Sequence, residues 1–467
     1  MLFDTPVFIL FLCLTTLCYW CLKFRAQNKF LLFASYLFYG WWDWRFLCLM
    51  IASTLIDYFI AIKIADAEDQ RTRRSLLILS LVINFSILGF FKYFNFFADS
   101  LHTSLSALGV QVSLPLLRII LPPGISFYTF QEVAYIVDVY AGRIPASRSF
   151  FDYGLFISLF PHLIAGPIQR PSHLLPQVQK PRQWDSDKAF DGLLLILEGL
   201  FRKCVIADNC ALIANAAFGG AFGKPSLPVV MLGTYAFAWQ IYGDFSGYSD
   251  IARGSAQLLG FHFMVNFRQP YFADSIQDFW RRWHISLSTW LRDYLYIPLG
   301  GNRNGEGQTY RNLFITMLLG GLWHGANWTF VVWGGLHGSW LAIERKLTRD
   351  RGVSLASIPK WIKQIFIFHL VCLAWIFFRA ASLREAWGML RGITVWSWRP
   401  EFPAAFLFLA IFSIPLLILD AFLESSGDEY CFASARVERR VAFGLACTLI
   451  IAFLGANQAN AFIYFQF

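Results

Sequence analysis

The sequence predicts an all-α polytopic membrane protein with about 11 transmembrane helices. Of its 467 residues, 57% are hydrophobic and 15% are charged, whereas soluble proteins carry about 25% charged residues. The apolar runs are mostly about 17–24 residues long, the length that crosses a hydrocarbon core of about 30 Å. The basic residues fall mainly in short loops between these runs, so the net charge of +9 indicates membrane topology. The lipid bilayer is therefore an expected partner, and nucleic acid is not.

The first third of the chain contains five predicted spans followed by a re-entrant segment. The spans are residues 6–22, 30–42, 46–64, 76–97 and 119–140. Lys23, Arg25 and Lys29 follow the first span, which places the N-terminus outside the cytoplasm. No basic region precedes that span and no small-residue cleavage site follows it, so we expect no cleavable signal. The run 150–165 is short with basic residues on both sides, which indicates a helix that enters and leaves on one face.

The rest of the chain alternates predicted spans with two polar segments. The spans are residues 190–218, 229–242, 362–378, 402–422 and 441–456, and the apolar runs 312–322 and 328–343 flank His324. Residues 243–260, rich in Gly, Ser and Asp, separate apolar runs, and residues 275–299 are aromatic, basic and amphipathic. We expect the second segment at the cytoplasmic interface. Basic loops at 345–363 and 436–440 place the C-terminus outside, although the arginine-rich loop 379–399 then also falls outside.

Trp323-His324-Gly325 places a histidine between strongly apolar stretches, 313–322 and 328–333. An ionisable group at membrane depth is costly, so it indicates a functional site. A neutral imidazole is the least costly titratable side chain to keep there, and it can exchange a proton near neutral pH. We therefore predict that His324 is catalytic.

A second histidine, His284, lies in a basic, aromatic and glycine-rich element. A general base must lie within hydrogen-bond reach of the hydroxyl that attacks. A second polar group can orient that base or stabilise a developing oxyanion. A histidine near such an element suits an acyl-transfer site, in which His324 would be the base. The alternative is that His284 is an interfacial residue, because amphipathic rings favour that depth.

Polar residues around His284 are candidates for holding an acyl donor. Arginines at the cytoplasmic mouth can bind the phosphates of a nucleotide-bearing thioester. The candidate donor-binding residues are Arg281, Arg282, Arg292 and Asn302. Alternatively, the arginines could be cations whose long side chains reach the membrane surface and help to set the orientation of the chain in the membrane. The sequence has no G-x-S-x-G, H-E-x-x-H or phosphate-loop motif, and its histidine spacing predicts no metal site. Nucleophilic serine chemistry would therefore come from a partner.

Five motifs carry a resemblance to a known family. They are PHLIAGPI at residues 161–168, YGDFSGYSDIA at 242–252, FWRRWHISLS at 279–288, YIPLGGN at 296–302 and GLWHGA at 321–326. With these motifs the chain resembles the membrane-bound O-acyltransferase (MBOAT) family, in its bacterial branch of AlgI-like alginate O-acetyltransferases. One departure is His162, which follows Pro161 where many relatives have glutamine, so no family role is carried over to it.

The resemblance implies one membrane domain over residues 1–467, with spanning helices in a ring around a thinned catalytic centre. It implies that His324 is the family's essential histidine and that His284 is its second. It implies no permanently bound cofactor, a cytoplasmic donor that is acetyl-CoA here, and an acceptor on the outer side. Members of this branch work with a periplasmic or membrane-anchored SGNH-type hydrolase-fold partner, which hands acetyl groups to a polysaccharide.

The aromatic segment FIYFQF at residues 462–467 resembles a short C-terminal motif of the same branch, expected on the extracytoplasmic side. By that likeness Tyr464 is the candidate acyl carrier, which receives acetyl near His324. A phenol with a pKa of about 10 needs a base, which His324 could supply. The alternative is an aromatic residue of the membrane interface.

Taken together, these patterns predict an O-acetyltransferase of the bacterial inner membrane, with both termini outside the cytoplasm. It would move acetyl from a cytoplasmic donor for O-acetylation of an extracytoplasmic polysaccharide such as alginate, with peptidoglycan and cellulose as alternative substrates. An acyl transporter or channel is a second hypothesis, because polar residues at depth occur there too. A non-catalytic scaffold for a periplasmic acetyltransferase is the third.

Overall fold

A computed structural model of the protein describes residues 1–110, 117–164, 166–350, 352, 357–432, 435–456 and 462–463. In this part of the chain the regular secondary structure is helical, without a β-strand. The helices are long and apolar, which confirms the predicted all-α membrane class. The chain folds into two compact units, the first made of residues 1–189 with 255–263, and the second of 190–254 with 264–467. The single-domain prediction stays a prediction.

The first unit contains nine helices within the described residues. They are α1 (Pro6–Trp20), α2 (Phe24–Gly40), α3 (Trp44–Asp66), α4 (Gln70–Leu88), α5 (Phe94–Ala107), α6 (Ile125–Tyr140), α7 (Phe150–Ser158), α8 (Phe160–Leu163) and α9 (Pro171–Val178). A π-helical turn, Gly89–Tyr93, joins α4 to α5. The run 150–165 forms two short helices that meet at Leu159, rather than one span. Side chains cap several helices, because Thr5, Asp69 and Ser149 accept hydrogen bonds from first-turn N–H groups.

The second unit holds the other helices. They are α10 (Ser186–Leu200), α11 (Asp208–Phe218), α12 (Leu227–Leu258), α13 (Ile276–Arg282), α14 (Ile285–Leu291), α15 (Glu306–His324), α16 (Trp328–Arg345), α17 (Lys360–Arg379), α18 (Leu383–Gly392), α19 (Phe402–Ser426) and α20 (Val437–Leu454). The first residues of α10 and the last of α12 belong to the first unit. A π-helical turn, Phe201–Ala207, joins α10 to α11. Another, Arg292–Tyr296, follows α14.

Four helical stretches of the described residues are long and apolar enough to cross a membrane by length and composition. They are Trp44–Asp66, Gln70–Ala107, Lys360–Arg379 and Phe402–Ser426. The helix Pro6–Trp20 is apolar but shorter. The protein is thus a multi-pass membrane protein, and the predicted total of about 11 spans stays a prediction.

Helix α12 differs from its sequence-based prediction, which ended a span at residue 242. It continues through the polar region to Leu258, for 32 residues in all. The glycines there serve helix packing, because a Cβ on Gly199 or on Gly247 would lie 2.6 Å from the other's carbonyl oxygen. Small residues let two helix backbones approach this closely. The polar side chains of the same region are buried among the ion pairs described below.

Candidate active site

His324 is the last residue of α15, where the chain turns into α16. Its side chain is 3% exposed. Three aromatic rings surround it, with centroids 5.1 Å away for Trp323, 5.1 Å for Trp333 and 5.3 Å for Phe378. The predicted catalytic histidine thus lies in an aromatic pocket formed by α15, α16 and α17.

Two glycines set the position of His324 by bringing α15 and α16 together. A Cβ on Gly321 would overlap the carbonyl oxygen of Phe330, and one on Gly334 would overlap that of Met317. Neither position can accept a side chain without separating the helices, since interiors are already close-packed. The short turn and the glycine contacts together fix the end of α15.

His284 lies between α13 and α14 in an uncommon backbone conformation. Its φ of 42° and ψ of 54° are left-handed, and the residue is fully buried. Such conformations in non-glycine residues cost energy and cluster at functional sites. The Ile285 N–H donates to the Asn266 carbonyl oxygen at 2.9 Å. The loop after α12 therefore holds the backbone beside His284.

The side chain of Asn266 determines the tautomer of His284. The backbone N–H of Ser286 donates to Asn266 Oδ1 at 3.2 Å, which identifies that atom as oxygen. His284 Nδ1 lies 3.2 Å from the same oxygen. An amide oxygen can only accept, so Nδ1 carries the proton and Nε2 carries the lone pair. Asn266 is itself held by a hydrogen bond from its amide nitrogen to Ser249 Oγ at 3.1 Å.

The structure brings the two predicted catalytic histidines together. The ring centroids of His284 and His324 are 6.4 Å apart, with their planes inclined by 57°. Trp323 lies beside both rings, 6.0 Å from His284 and 5.1 Å from His324. On its other side His284 meets the edge of Phe245 at 4.6 Å. Two imidazoles with one defined lone pair can accept and pass on a proton.

The four candidate donor-binding residues differ in their surroundings. Arg281 and Asn302 are exposed. Arg282 binds Asp278 at 2.8 Å and Glu424 at 2.6 Å. Arg292 binds Asp293 at 2.7 Å, and that hydrogen bond raises the pKa of the Arg292 guanidinium, which stays cationic. Arg282 therefore already joins α13 to α19, while Arg281 has the greater freedom to meet a phosphate.

The first two residues of the C-terminal motif lie in the same unit. Tyr464 lies outside the described residues, whereas Phe462 and Ile463 are described and buried, at 1% and 2% exposure. The Phe462 ring is 4.1 Å from that of Tyr248 and 5.9 Å from that of Phe245. The backbone N–H of Ile463 donates to Asp244 Oδ2 at 2.7 Å. Phe462 thus packs on Phe245, the ring that contacts His284.

The sequence analysis missed several residues that shape this site. Asn266 had no distinguishing signal, because it is one polar residue in a loop. Lys203 did have one, since a lysine inside the apolar run 190–218 is costly unless paired. It is paired, with Asp208 at 2.8 Å and with Asp244 at 2.9 Å.

Three other histidines lie apart from this pair. His337 Nδ1 accepts from Trp280 Nε1 at 3.3 Å, and His369 Nε2 lies 2.8 Å from the Tyr235 hydroxyl. Both rings are thus hydrogen-bonded to a neighbouring aromatic side chain. His162, in the first unit, lies 3.1 Å from the side-chain amide of Gln131 and is 1% exposed.

Comparison with known proteins places this site in a family. Residues 140–384, which include both histidines, match the model of MBOAT, the membrane-bound O-acyltransferase family. A protein of Azotobacter vinelandii named "Probable alginate O-acetylase AlgI" is 48% identical over 83% of this chain and 77% of its own length. One of the same name from Pseudomonas aeruginosa is 47% identical over 83% and 74%. A Helicobacter pylori protein named "Peptidoglycan O-acetyltransferase" is 39% identical over 84% and 80%.

The identities, the family match and the buried histidine pair agree with the resemblance seen in the sequence motifs. An acyltransferase requires an acyl donor as substrate. The chain therefore belongs to the membrane-bound O-acyltransferase family, and it is a multi-pass membrane O-acyltransferase.

Proposed function

We propose that the protein takes acetyl from acetyl-CoA in the cytoplasm and passes it across the bacterial inner membrane for O-acetylation of an extracytoplasmic polysaccharide such as alginate. Two of the relatives above are named for alginate O-acetylation and a third for peptidoglycan O-acetylation. The acceptor class is accordingly a glycan hydroxyl, with peptidoglycan as the second candidate. The observation that carries the proposal is the buried His284–His324 pair with its defined tautomer.

In the proposed architecture one membrane domain forms a ring of about 11 spanning helices. Its centre is thinned, so that cavities from the two faces nearly meet at His324. Both termini lie outside the cytoplasm, as the basic loops favour. The short helices α13 and α14, on either side of His284, support a thinned centre, because irregular backbone at depth is tolerated where protein or water surrounds it.

In the proposed chemistry His324 is the general base. It takes the proton of an attacking hydroxyl as that oxygen forms a bond to the thioester carbonyl carbon. The carbon–sulfur bond then breaks, the carbonyl reforms, and the thiolate takes the proton back from His324 to leave as the free thiol. His284 stabilises the imidazolium that forms on His324, because its Nε2 lone pair is held by the bond from Nδ1 to Asn266.

The hydroxyl that attacks first is that of Tyr464, which would then present its acetyl ester outside. Support comes from the two residues before it, since Phe462 packs on Phe245 and Phe245 contacts His284. On the cytoplasmic side, Arg281, Arg282, Arg292 and Asn302 would hold the donor phosphates. Outside, an SGNH-type acetyltransferase would take acetyl from Tyr464 and pass it to the polysaccharide.

The test incubates purified protein with isotopically labelled acetyl-CoA and follows the label by mass spectrometry of the C-terminal peptide. We expect acetyl on Tyr464 in the wild type and none in His324→Ala or Tyr464→Phe. The matched control is His369→Gln, because His369 lies apart from the pair and bonds to Tyr235 instead. Acetyl movement across vesicles without covalent transfer would favour a transporter. A wild type that neither cleaves acetyl-CoA nor labels itself would favour a scaffold.

A further inference from the structure

The C-terminal segment is attached at two points, one at the π-helical turn Phe201–Ala207 with the start of α11, and the other at Asp244 of α12, which pairs with Lys203 of that turn. At the first point the Ala456 N–H donates to the Cys204 carbonyl oxygen at 3.0 Å. Asn209 adds a bond from its side-chain amide to the Leu454 carbonyl oxygen at 3.0 Å. At the second point Ile463 binds Asp244, which is the partner of Lys203. The turn with the start of α11 thus contacts the chain before residues 457–461 directly. It is linked to the chain after them through the Lys203–Asp244 pair.

The π-helical turn contributes one group at each attachment point, the Cys204 carbonyl at the first and the Lys203 side chain at the second. The extra residue in such a turn changes the direction of carbonyls and side chains, and these turns are frequent at functional sites. Here the turn directs the Cys204 carbonyl to the end of α20. It also directs Lys203 towards Asp208 and Asp244.

The ion cluster at the second point is buried, and one of its carboxylates accepts a backbone hydrogen bond. Lys203, Asp208 and Asp244 have side chains that are 1%, 4% and 3% exposed. Two carboxylates face one ammonium group, and buried charge is costly unless it is paired and hydrogen-bonded. Asp244 Oδ1 binds Lys203 at 2.9 Å, while Oδ2 accepts the Ile463 N–H at 2.7 Å. The two oxygens of Asp244 thus bind two different donors, one in the ion cluster and one in the C-terminal segment.

Ile463 follows Phe462, whose ring packs on Phe245, and Phe245 in turn contacts His284. Phe462 is buried against Tyr248 and Phe245, both on α12, four and one residues from Asp244. Phe245 contacts His284 edge to face at 4.6 Å. Fixing the backbone at Ile463 hence fixes the residue before Tyr464 relative to His284.

We infer that Lys203, Asp208 and Asp244 form a clamp that docks the C-terminal segment at Ile463 and thereby positions Tyr464 for acyl transfer. The inference rests on the proposed carrier function of Tyr464. The three charged residues are positioning residues, because they act through the backbone of the segment. Loss of the clamp should slow acetylation of Tyr464 and leave the KM for acetyl-CoA unchanged.

The first test removes the backbone N–H of residue 463 and leaves the ion cluster of Lys203, Asp208 and Asp244 unchanged. Ile463→Pro deletes the backbone N–H, and Ile463→Ala keeps it as the matched control. Hydrogen exchange of the full-length protein is followed in the C-terminal peptide. We expect exchange about tenfold faster in Ile463→Pro than in Ile463→Ala, since a hydrogen bond to a charged group is lost.

The second test removes the Asp244 carboxylate, which accepts the hydrogen bond from Ile463. Asp244→Ala is compared with Asp250→Ala, which deletes another buried carboxylate of α12, one that pairs with Arg202 and Arg253. We expect faster exchange of the C-terminal peptide and about tenfold slower Tyr464 acetylation in Asp244→Ala, with the KM for acetyl-CoA retained. In Asp250→Ala the exchange of that peptide should match the wild type.

The outcomes distinguish docking at Ile463 from the proposed carrier function of Tyr464. Wild-type exchange in both Ile463→Pro and Asp244→Ala would overturn the clamp. Faster exchange with wild-type acetylation of Tyr464 would overturn its positioning role. Faster exchange together with a wild type that never acetylates Tyr464 would retire the carrier function and still confirm docking at Ile463.

Discussion

The rings of His284 and His324 lie 6.4 Å apart between centroids, and Asn266 assigns the proton of His284 to Nδ1. A base needs to lie within hydrogen-bond reach of the proton that it takes. In the proposed mechanism His324 is that base, and the Nε2 lone pair of His284 stabilises the imidazolium that forms on it.

Replacing Asn266 should disturb this pair without removing either histidine. In Asn266→Leu the side chain keeps its size but loses the oxygen that accepts from His284 Nδ1 and Ser286. We expect kcat for acetyl transfer to fall about 100-fold, because a small misplacement of a catalytic group has that effect. Steady-state kinetics with acetyl-CoA measures it. Asn266→Asp, which restores an acceptor, should recover most of the rate, and an equally inactive Asp variant would argue against orientation through this oxygen.

The close contact of α15 and α16 predicts a sharp difference between two glycines of one helix. Gly321→Ala would push a methyl group into the Phe330 carbonyl, whereas a Cβ on Gly307 meets no heavy atom within 4 Å. We expect Gly321→Ala to destabilise the protein by about 1–3 kcal/mol through overpacking, and to displace His324. Gly307→Ala should raise stability by about 0.4–1 kcal/mol. Thermal unfolding in detergent compares them, and equal melting temperatures would contradict the packing argument.

Donor binding should depend on Arg281. This side chain is exposed beside the pair Arg282–Glu424. Arg281→Gln should raise the KM for acetyl-CoA about tenfold with little change in kcat, because a charge-assisted phosphate contact contributes to ground-state and transition-state binding alike. Arg384→Gln, also exposed but on α18, in the segment expected outside the cytoplasm, is the control. An unchanged KM in Arg281→Gln, or an equal rise in Arg384→Gln, would remove Arg281 from the donor site.

Stability should depend strongly on Arg202. It pairs with Glu198 at 2.7 Å, Asp250 at 3.5 Å and Asp420 at 3.9 Å, and its side chain is 6% exposed. Arg202→Met leaves buried carboxylates without their cation, which should cost about 3–5 kcal/mol. The comparison is Lys188→Met, since the exposed pair of Lys188 with Asp185 should contribute less than about 1 kcal/mol. Similar losses of melting temperature in the two variants would show that the Arg202 cluster contributes little to folding.

The helices themselves could be predicted from the sequence because long apolar runs have few alternatives in a bilayer. The polar part of α12 could not. Its Gly, Ser and Asp residues have the composition of a loop, yet Gly247 packs on Gly199 and Asp250 pairs with Arg202. Those partners lie about 50 residues away along the chain, and no local pattern reveals them.

The two histidines stand out in the sequence for different reasons, His324 by its apolar surroundings and His284 by the family resemblance of its motif. An imidazole in an apolar stretch is conspicuous because its cost must be offset by a function. The orientation of His284 was beyond prediction, since it depends on its left-handed backbone and on Asn266 in a separate loop. The anchoring of Ile463 by Asp244 likewise joins residues that lie far apart in sequence.

The central claim is that His324 is the base for acyl transfer, and cells carrying His324→Ala test it most directly. Polysaccharide from these cells is assayed for ester-linked acetyl beside the wild type and His369→Gln, with equal amounts of folded protein in the membrane. The account predicts a loss of at least about 100-fold in His324→Ala and a normal level in His369→Gln. Near-normal acetylation in folded His324→Ala would contradict the account.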